Sequence, residues 1–327
     1  RWVYNTTAGN IGTNASSYTG TFTSATQNLT LKSATVGTYY LHVLSADNAG
    51  NLKETIKGTI TIKPTTSASP GSTTHMASEI PYSWEEISTV AKLISNNSNI
   101  TNDTAEVTVT LNGVTKTLGV GDTATVNGKT VRILGFNHDS LTDINVYGSV
   151  TATGKAGISF EYVDFVESNS KLNDSGNTNS GGWGATQLRK GLNDSIYTLS
   201  IKDYIKAVNK EYITTYNTGE KSTCSDKLWL LSCGEIWDNG YNGGNTRGYA
   251  AATEGTQYKY YKINLGSTAY NASTNVTQKT NGNIGRDWWL RSPYYNYMYF
   301  FCYVAGNGNC GFVGLASSFG TAPGFSI

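Results

Sequence analysis

The chain has 327 residues, of which 38% are hydrophobic, 12% aromatic and 14% charged, a globular composition and a length sufficient for two domains. A formal net charge of +1 offers no electrostatic footprint for nucleic acid or for an acidic surface. No run of about 18 apolar residues is present to span a membrane, so a soluble chain is expected.

The chain opens in mid-pattern at Arg1-Trp2-Val3-Tyr4, so its natural N-terminus is expected further upstream and the lack of a signal peptide says little. Residues 1–63 predict an all-β sandwich, because short strands at Tyr18 to Phe22, Leu29 to Leu31, Thr38 to Ser45 and Thr59 to Ile62 are separated by Gly, Asn and Ser. His42 lies within one of these strands with no Cys or acidic cluster beside it in sequence, and reads as structural. Residues 64–78 are rich in Pro, Ser and Thr, lack apolar periodicity and read as a linker.

The second domain, 79–327, begins with a helix. Ser83 and Glu86 form a capping box, and Ile87, Val90, Ala91 and Ile94 recur at helical spacing. Strands follow at Glu106 to Leu111, Lys116 to Val120, Thr130 to Phe136 and Ile158 to Val166, with Asn112-Gly113 and Asn127-Gly128 as hairpin turns. Helical patterns are expected around Ala185 to Leu192 and around Lys202 to Tyr212, then strands at Asp226 to Leu231, Tyr258 to Ile263, Tyr299 to Val304 and Gly311 to Leu315. This mixture predicts an α+β fold. Trp183, Trp229, Trp237, Trp288 and Trp289 are expected as core anchors, and Arg291 as a guanidinium fork on a carboxylate or carbonyls beneath a binding face.

From Ser292 to Ile327 there is no Asp, Glu, Lys, Arg or His, although average composition would place about five or more there. Within this stretch Tyr294 to Tyr303 reads Tyr-Tyr-Asn-Tyr-Met-Tyr-Phe-Phe-Cys-Tyr and is followed by a Gly/Asn run. Tyr with Asn, Gly and Ser is the alphabet of binding loops, since Tyr gives a large amphipathic contact with few rotatable bonds. Strict alternation would put Tyr295, Tyr297, Tyr299, Phe301 and Tyr303 on one face. Burying a whole row of tyrosine hydroxyls unpaired would cost roughly 1–3 kcal/mol each, so at least one exposed aromatic face is expected.

Three constellations hold residue types that could carry chemistry. Gly306 to Gly311 matches G-x-G-x-x-G after a strand, but neither a following amphipathic helix nor a downstream acid supports a dinucleotide site. Asn137, Asp139 and Asp143 could donate oxygens to Ca²⁺, yet the Gly and Glu of an EF-hand loop are missing and a polar turn is preferred. Cys224, Cys233, Cys302 and Cys310 lack metal spacing, and His138 alone outside the sandwich and linker supplies a nucleophile–His arrangement poorly. No catalytic residue, metal or cofactor is assigned.

Trp288-Trp289-Leu290-Arg291-Ser292-Pro293, the strand holding Phe301, Cys302 and Val304, and the closing Ala322-Pro323-Gly324-Phe325 resemble the C-terminal signature of a family of C-type-lectin-like domains of gut bacteria and their phages, in the formylglycine-generating-enzyme-like subclass. Some members are variable proteins of diversity-generating retroelements, in which adenine-directed mutagenesis rewrites codons near the gene's 3′ end. Gly37 to Val43 with Asp47 to Asn51 is similar to the late strand and turn of bacterial immunoglobulin-like modules, which serve as surface spacers.

The resemblance implies a diversified ligand- or receptor-binding protein on a phage tail or bacterial surface, extracellular, with a protein or glycan partner on a target cell. It implies a variable region at 294–319 presenting Tyr294, Tyr295, Asn296, Tyr297, Tyr299, Phe300, Tyr303, Ala305, Asn307, Asn309, Cys310, Gly311, Phe312 and Gly314. The scaffold would be Trp288, Trp289, Arg291, Phe301, Val304, Pro323 and Phe325. An asparagine codon mutated at its adenines reaches every residue between Tyr294 and Gly314 except Met298. The same resemblance leaves two alternatives, a fixed-specificity surface adhesin and a cysteine oxidase using Cys302 and Cys310; Cys310 is equally one outcome sampled at a variable position.

Overall fold

The computed structural model describes the chain apart from residues 25–36, 63–65, 72–74, 177, 215–218, 238–253, 267, 269, 282–283 and 295–296. It is β-rich with few helices, and it divides into two compact units, 1–66 with 110–114 and 67–109 with 115–327.

In the first unit, β1 (Trp2–Asn5), β2 (Gly37–Ala46) and β3 (Leu52–Ile62) form one antiparallel sheet in the order β1-β2-β3. The described residues therefore supply a single sheet where a sandwich was expected; the strand expected at Leu29 to Leu31 lies outside them. Tyr18 to Phe22 is not a strand: Tyr18 caps a short 3-10 turn, and Gly20 makes an isolated bridge to Trp2. His42 is structural as expected, buried with Nδ1 2.6 Å from Glu54 Oε1.

The second unit begins within the stretch read as a linker. There β4 (Ser67–Pro70) hydrogen-bonds to β5 (Glu106–Leu111), and His75 Nε2 lies 2.7 Å from Asp122 Oδ1. Helix α1 (Trp84–Ser95) carries the expected capping box and buries Ile87, Val90, Ala91 and Ile94. Gly157 is required against it, since a Cβ there would lie 2.0 Å from the Ala91 carbonyl oxygen. β6 (Val114–Gly119), β7 (Thr123–Val126) and β8 (Lys129–Phe136) follow. The turns Asn112-Gly113 and Asn127-Gly128 have positive φ at both positions, the primed geometry that matches strand twist.

Next come β9 (Ile158–Tyr162), β10 (Glu167–Ser170), α2 (Gln187–Asp194), β11 (Val208–Ile213), β12 (Lys221–Asp226), α3 (Cys233–Ile236) and α4 (Lys259–Leu265). The last strands are β13 (Lys279–Asn281), β14 (Ile284–Arg286), β15 (Trp288–Pro293), β16 (Phe300–Val304), β17 (Cys310–Gly314), β18 (Phe319–Thr321) and β19 (Gly324–Ser326). Three expectations are corrected here. Lys202 to Tyr212 is not a helix: Ile201 is buried in a turn and Ile205 in the loop after it, and Val208 opens β11, which pairs with β12. Tyr258 to Ile263 is not a strand, because Tyr258, Tyr261 and Leu265 are buried at helical spacing and α4 occupies that segment. Asp226 ends β12, and the buried run 228–231 is loop, with one bridge from Trp229 to Gly324.

Two sheets frame the core, a five-stranded one ordered β10-β18-β15-β16-β17 and a four-stranded one ordered β19-β9-β8-β7. Trp183, Trp229, Trp288 and Trp289 are fully buried, and Phe160 stacks on Phe325 with ring centroids 5.2 Å apart. Chain order thus places β16, β17 and β18 of the charge-free C-terminal stretch around β15 in one sheet, and β19 at the edge of the other.

Candidate functional site

The β15-to-β16 turn breaks the expected alternation. Tyr297, Met298 and Tyr299 precede β16, so strict two-residue periodicity starts only at Phe300. Pairing of Phe300 with Gly314, Cys302 with Phe312 and Val304 with Cys310 sets these six residues on one face of the β16–β17 hairpin. Phe301, Tyr303, Gly311 and Val313 take the other.

On the first face an aromatic cluster forms. Tyr294 stacks on Phe312 with centroids 3.9 Å apart and planes 7° from parallel; Tyr297 lies 5.0 Å from Phe300, and Tyr299 meets Phe300 edge-on at 4.7 Å. Its outer members are open to solvent: Tyr297 is 48% exposed, Met298 44%, Tyr299 41% and Phe312 37%. Water can reach this outer surface, which removes the hydroxyl-burial penalty that argued against a wholly internal strand.

The turn is held by backbone and by one buried amide. Asn179, in the loop between β10 and α2, donates its side-chain N–H groups to the carbonyls of Tyr297 (3.1 Å) and Phe300 (3.0 Å), and its backbone N–H to the Met298 carbonyl. The Leu315 N–H donates to the Tyr299 carbonyl at 3.0 Å. The aromatic side chains are thus displayed from a turn whose hydrogen bonds do not use them.

At the other end of the hairpin the Gly-rich motif is a tip followed by a strand, not a helix. Gly308 has φ +90°, and a Cβ on it would lie 1.8 Å from the Thr274 carbonyl oxygen. Thr277 Oγ1 donates to the Gly308 carbonyl at 2.5 Å, while Asn307 remains exposed.

The expected binding residues therefore divide. Tyr297, Tyr299, Phe300 and Phe312 share one patch, and Gly314 lies beside it; Ala305, Asn307 and Asn309 lie at the tip. Tyr294 is buried, because Phe312 covers it, and so is corrected from the surface to the floor of the patch. Tyr303 turns to the opposite face, against Phe319 at 4.6 Å and over Gly311, whose Cβ position would be 2.5 Å from its ring. Cys310 is half-buried and faces other thiols. Tyr295 and Asn296 lie outside the described residues. All seven expected scaffold residues, Trp288, Trp289, Arg291, Phe301, Val304, Pro323 and Phe325, are buried.

Beneath β15 is a buried charge network that sequence reading found only at Arg291. Its guanidinium grips Glu235 at 2.5 and 2.9 Å and also donates to the carbonyls of Leu230, Glu211 and Glu254. Lys210 Nζ lies 2.5 Å from Glu235 and 2.7 Å from Asp139, and Tyr258 and Ser159 donate to the other Asp139 oxygen. The polar-turn reading of Asn137 to Asp143 is corrected in part: Asp143 is exposed and accepts the Asn145 N–H, but Asp139 is a buried member of an ion network. Burial alone would raise the Asp139 pKa, but Lys210 and His138 hold it well below the usual carboxylate range. Glu235 is likewise lowered against burial by Arg291 and Lys210. Glu254, which accepts the Ile213 N–H, is pushed by burial up to about 8 although Arg291 opposes the rise. A cavity of about 560 Å³ opens on this network, with Lys155, Glu211 and Lys221 at its wall. The local signal for Glu235 was Ser232-x-x-Glu235, a capping box now seen at α3; Lys210 was masked by the helical reading of its segment.

A family model described as Domain of unknown function (DUF6273) matches residues 154–327, more than half of the chain. No curated protein and no solved structure matches it.

Proposed function

The chain belongs to the DUF6273 family through the region that carries the exposed aromatic turn, and from that turn we propose that it is a ligand-binding protein. The observation that carries the reading is one contiguous patch of Tyr297, Met298, Tyr299 and Phe312, presented from a backbone fixed independently of those side chains. Large exposed aromatic patches mark interaction sites, and a pre-ordered turn lowers the entropy lost on binding.

In this reading the second unit is a C-type-lectin-like domain and the first an immunoglobulin-like spacer, displayed outside the cell on a phage tail or bacterial surface. The partner is a protein or glycan on a target cell. The residue alphabet agrees with diversification by a retroelement: Tyr297, Tyr299, Phe300 and Phe312 are all reachable from asparagine codons, although Asp, His and Arg are reachable too and do not occur, and Met298 needs another parent codon.

Sequencing the gene's 3′ end across a source population tests this. Substitutions are expected at adenines of a nearby near-copy, concentrated on codons 297, 299, 300 and 312 and sparing 288–291. A constant stretch overturns diversification. The charged cavity favours a second reading, a fixed-specificity adhesin for a charged group. Under it, Lys155→Ala with Lys221→Ala abolishes attachment to target cells and Tyr297→Ser with Tyr299→Ser does not; the aromatic-face reading expects the reverse.

A further inference from the structure

Three of the four cysteines converge from different elements. Cys233 opens α3, Cys302 sits in the middle of β16 and Cys310 starts β17. Cys302 and Cys310 lie on the same face of the hairpin as diagonal neighbours, since Cys302 pairs with Phe312 and Val304 with Cys310. Cys233 is brought to them by its helix start, where its N–H donates to Ser292 Oγ on β15 at 3.0 Å. All three Sγ atoms lie within 4.8 Å of one another, and Cys233 and Cys310 are 3.8 Å apart.

That spacing is informative. Zinc–sulfur bonds of about 2.3 Å at tetrahedral angles hold sulfurs about 3.8 Å apart. A disulfide needs its sulfurs at about 2.05 Å, so oxidising even the 3.8 Å Cys233–Cys310 pair demands a larger movement than drawing three sulfurs that already lie within 4.8 Å of one another to about 3.8 Å. Three thiolates with a divalent ion leave one net negative charge, whereas a monovalent ion leaves two, and burying the second costs more. Cys233 and Cys302 are buried, while Cys310 is half-buried, so the fourth coordination position has a route to water on the Cys310 side.

We propose that Cys233, Cys302 and Cys310 bind one zinc-class divalent cation, which fastens the β16–β17 hairpin to α3 beneath the aromatic patch. The inference does not depend on that patch binding a ligand. Sequence spacing could not show it, because the 68 residues between Cys233 and Cys302 are closed by tertiary packing and not by a local motif.

The test uses the full chain, reduced and kept free of oxygen, loaded with Zn²⁺ and passed over a desalting column before metal analysis. The expected result is one zinc per chain, loss of retention in Cys302→Ser and Cys310→Ser, and full retention in Cys224→Ser. Zinc should also raise the thermal midpoint of the wild-type chain and leave that of Cys310→Ser unchanged. If Cys302→Ser does not fold, Co²⁺ titration of the wild-type chain decides: the bands of tetrahedral cobalt with thiolate charge transfer at one equivalent support the site. No zinc retained, octahedral cobalt spectra, retention that survives Cys310→Ser, or a Cys233–Cys310 disulfide in place of metal each overturns it.

Discussion

Arg291 shows how much one side chain can organise. Its planar fork satisfies both Glu235 oxygens and three carbonyls at zero exposure, work that a lysine ammonium cannot repeat from a single point. Arg291→Lys keeps the charge and loses the fork, so Glu235 and the carbonyls are left partly unpaired in the interior; urea unfolding should show a loss of about 3 kcal/mol or more. By contrast Tyr297→Ser and Tyr299→Ser remove half-exposed rings and should move the unfolding midpoint little, within about 1 kcal/mol, while abolishing attachment to target cells. A large stability loss in the tyrosine variants would mean that those rings are core, contrary to the binding reading.

At the scale of elements, the turn before β16 depends on Asn179. Asn179→Ala removes two side-chain hydrogen bonds, while the Tyr297 carbonyl keeps the Phe300 N–H at 3.2 Å and the Phe300 carbonyl keeps the Tyr294 N–H at 2.9 Å; at roughly 0.5–1.5 kcal/mol per bond the cost is about 1–3 kcal/mol. The expected signature is local: faster hydrogen exchange at Phe300 and Leu315 and weaker ligand binding, with β8 and β9 amides unchanged. Global acceleration of exchange would show instead that the turn is coupled to the whole sheet. Sequence legibility also divides by element. α1, the two Asn-Gly turns and β16–β17 were readable because capping, turn chemistry and apolar runs are local signals. β11 and α4 depart from expectation in opposite directions: Ile201, Ile205 and Val208 at spacings of four and three suit a helix but here lead through a turn and loop into a strand, whereas the aromatic run 258–263 suits a strand although Tyr258, Tyr261 and Leu265 recur at the helical spacing that α4 uses. Asn179, Lys210 and the three thiols were illegible because each acquires its role only through partners distant in the chain. Arg291 was found because a cation flanked by Trp-Trp-Leu and Ser-Pro must be buried with a partner or be unstable.

For the whole molecule, the buried carboxyl of Glu254 ties stability to pH. Its folded pKa is about 8 against an ordinary value of 4.5, so between those limits the unfolded chain has released a proton that the folded chain retains. Stability from this group is therefore complete below 4.5, falls as pH rises through the window by up to roughly 1.4 kcal/mol per unit, and is flat above 8. Glu254→Gln should remove that slope, and the difference between the two unfolding free energies should grow from pH 5 to pH 8 in favour of the variant. A difference independent of pH would show that Glu254 is ionised in the folded protein.

Met298 at the crest of the aromatic turn gives the surface a built-in chemical reporter. The chain contains two methionines, Met76 and Met298, and both are exposed. Mild peroxide should convert both thioethers to sulfoxides, visible as two mass increments on separate peptides. A partner seated on the aromatic patch would shield Met298 and leave Met76 to oxidise at its usual rate, so occupancy could be read on a cell surface before the partner itself is identified.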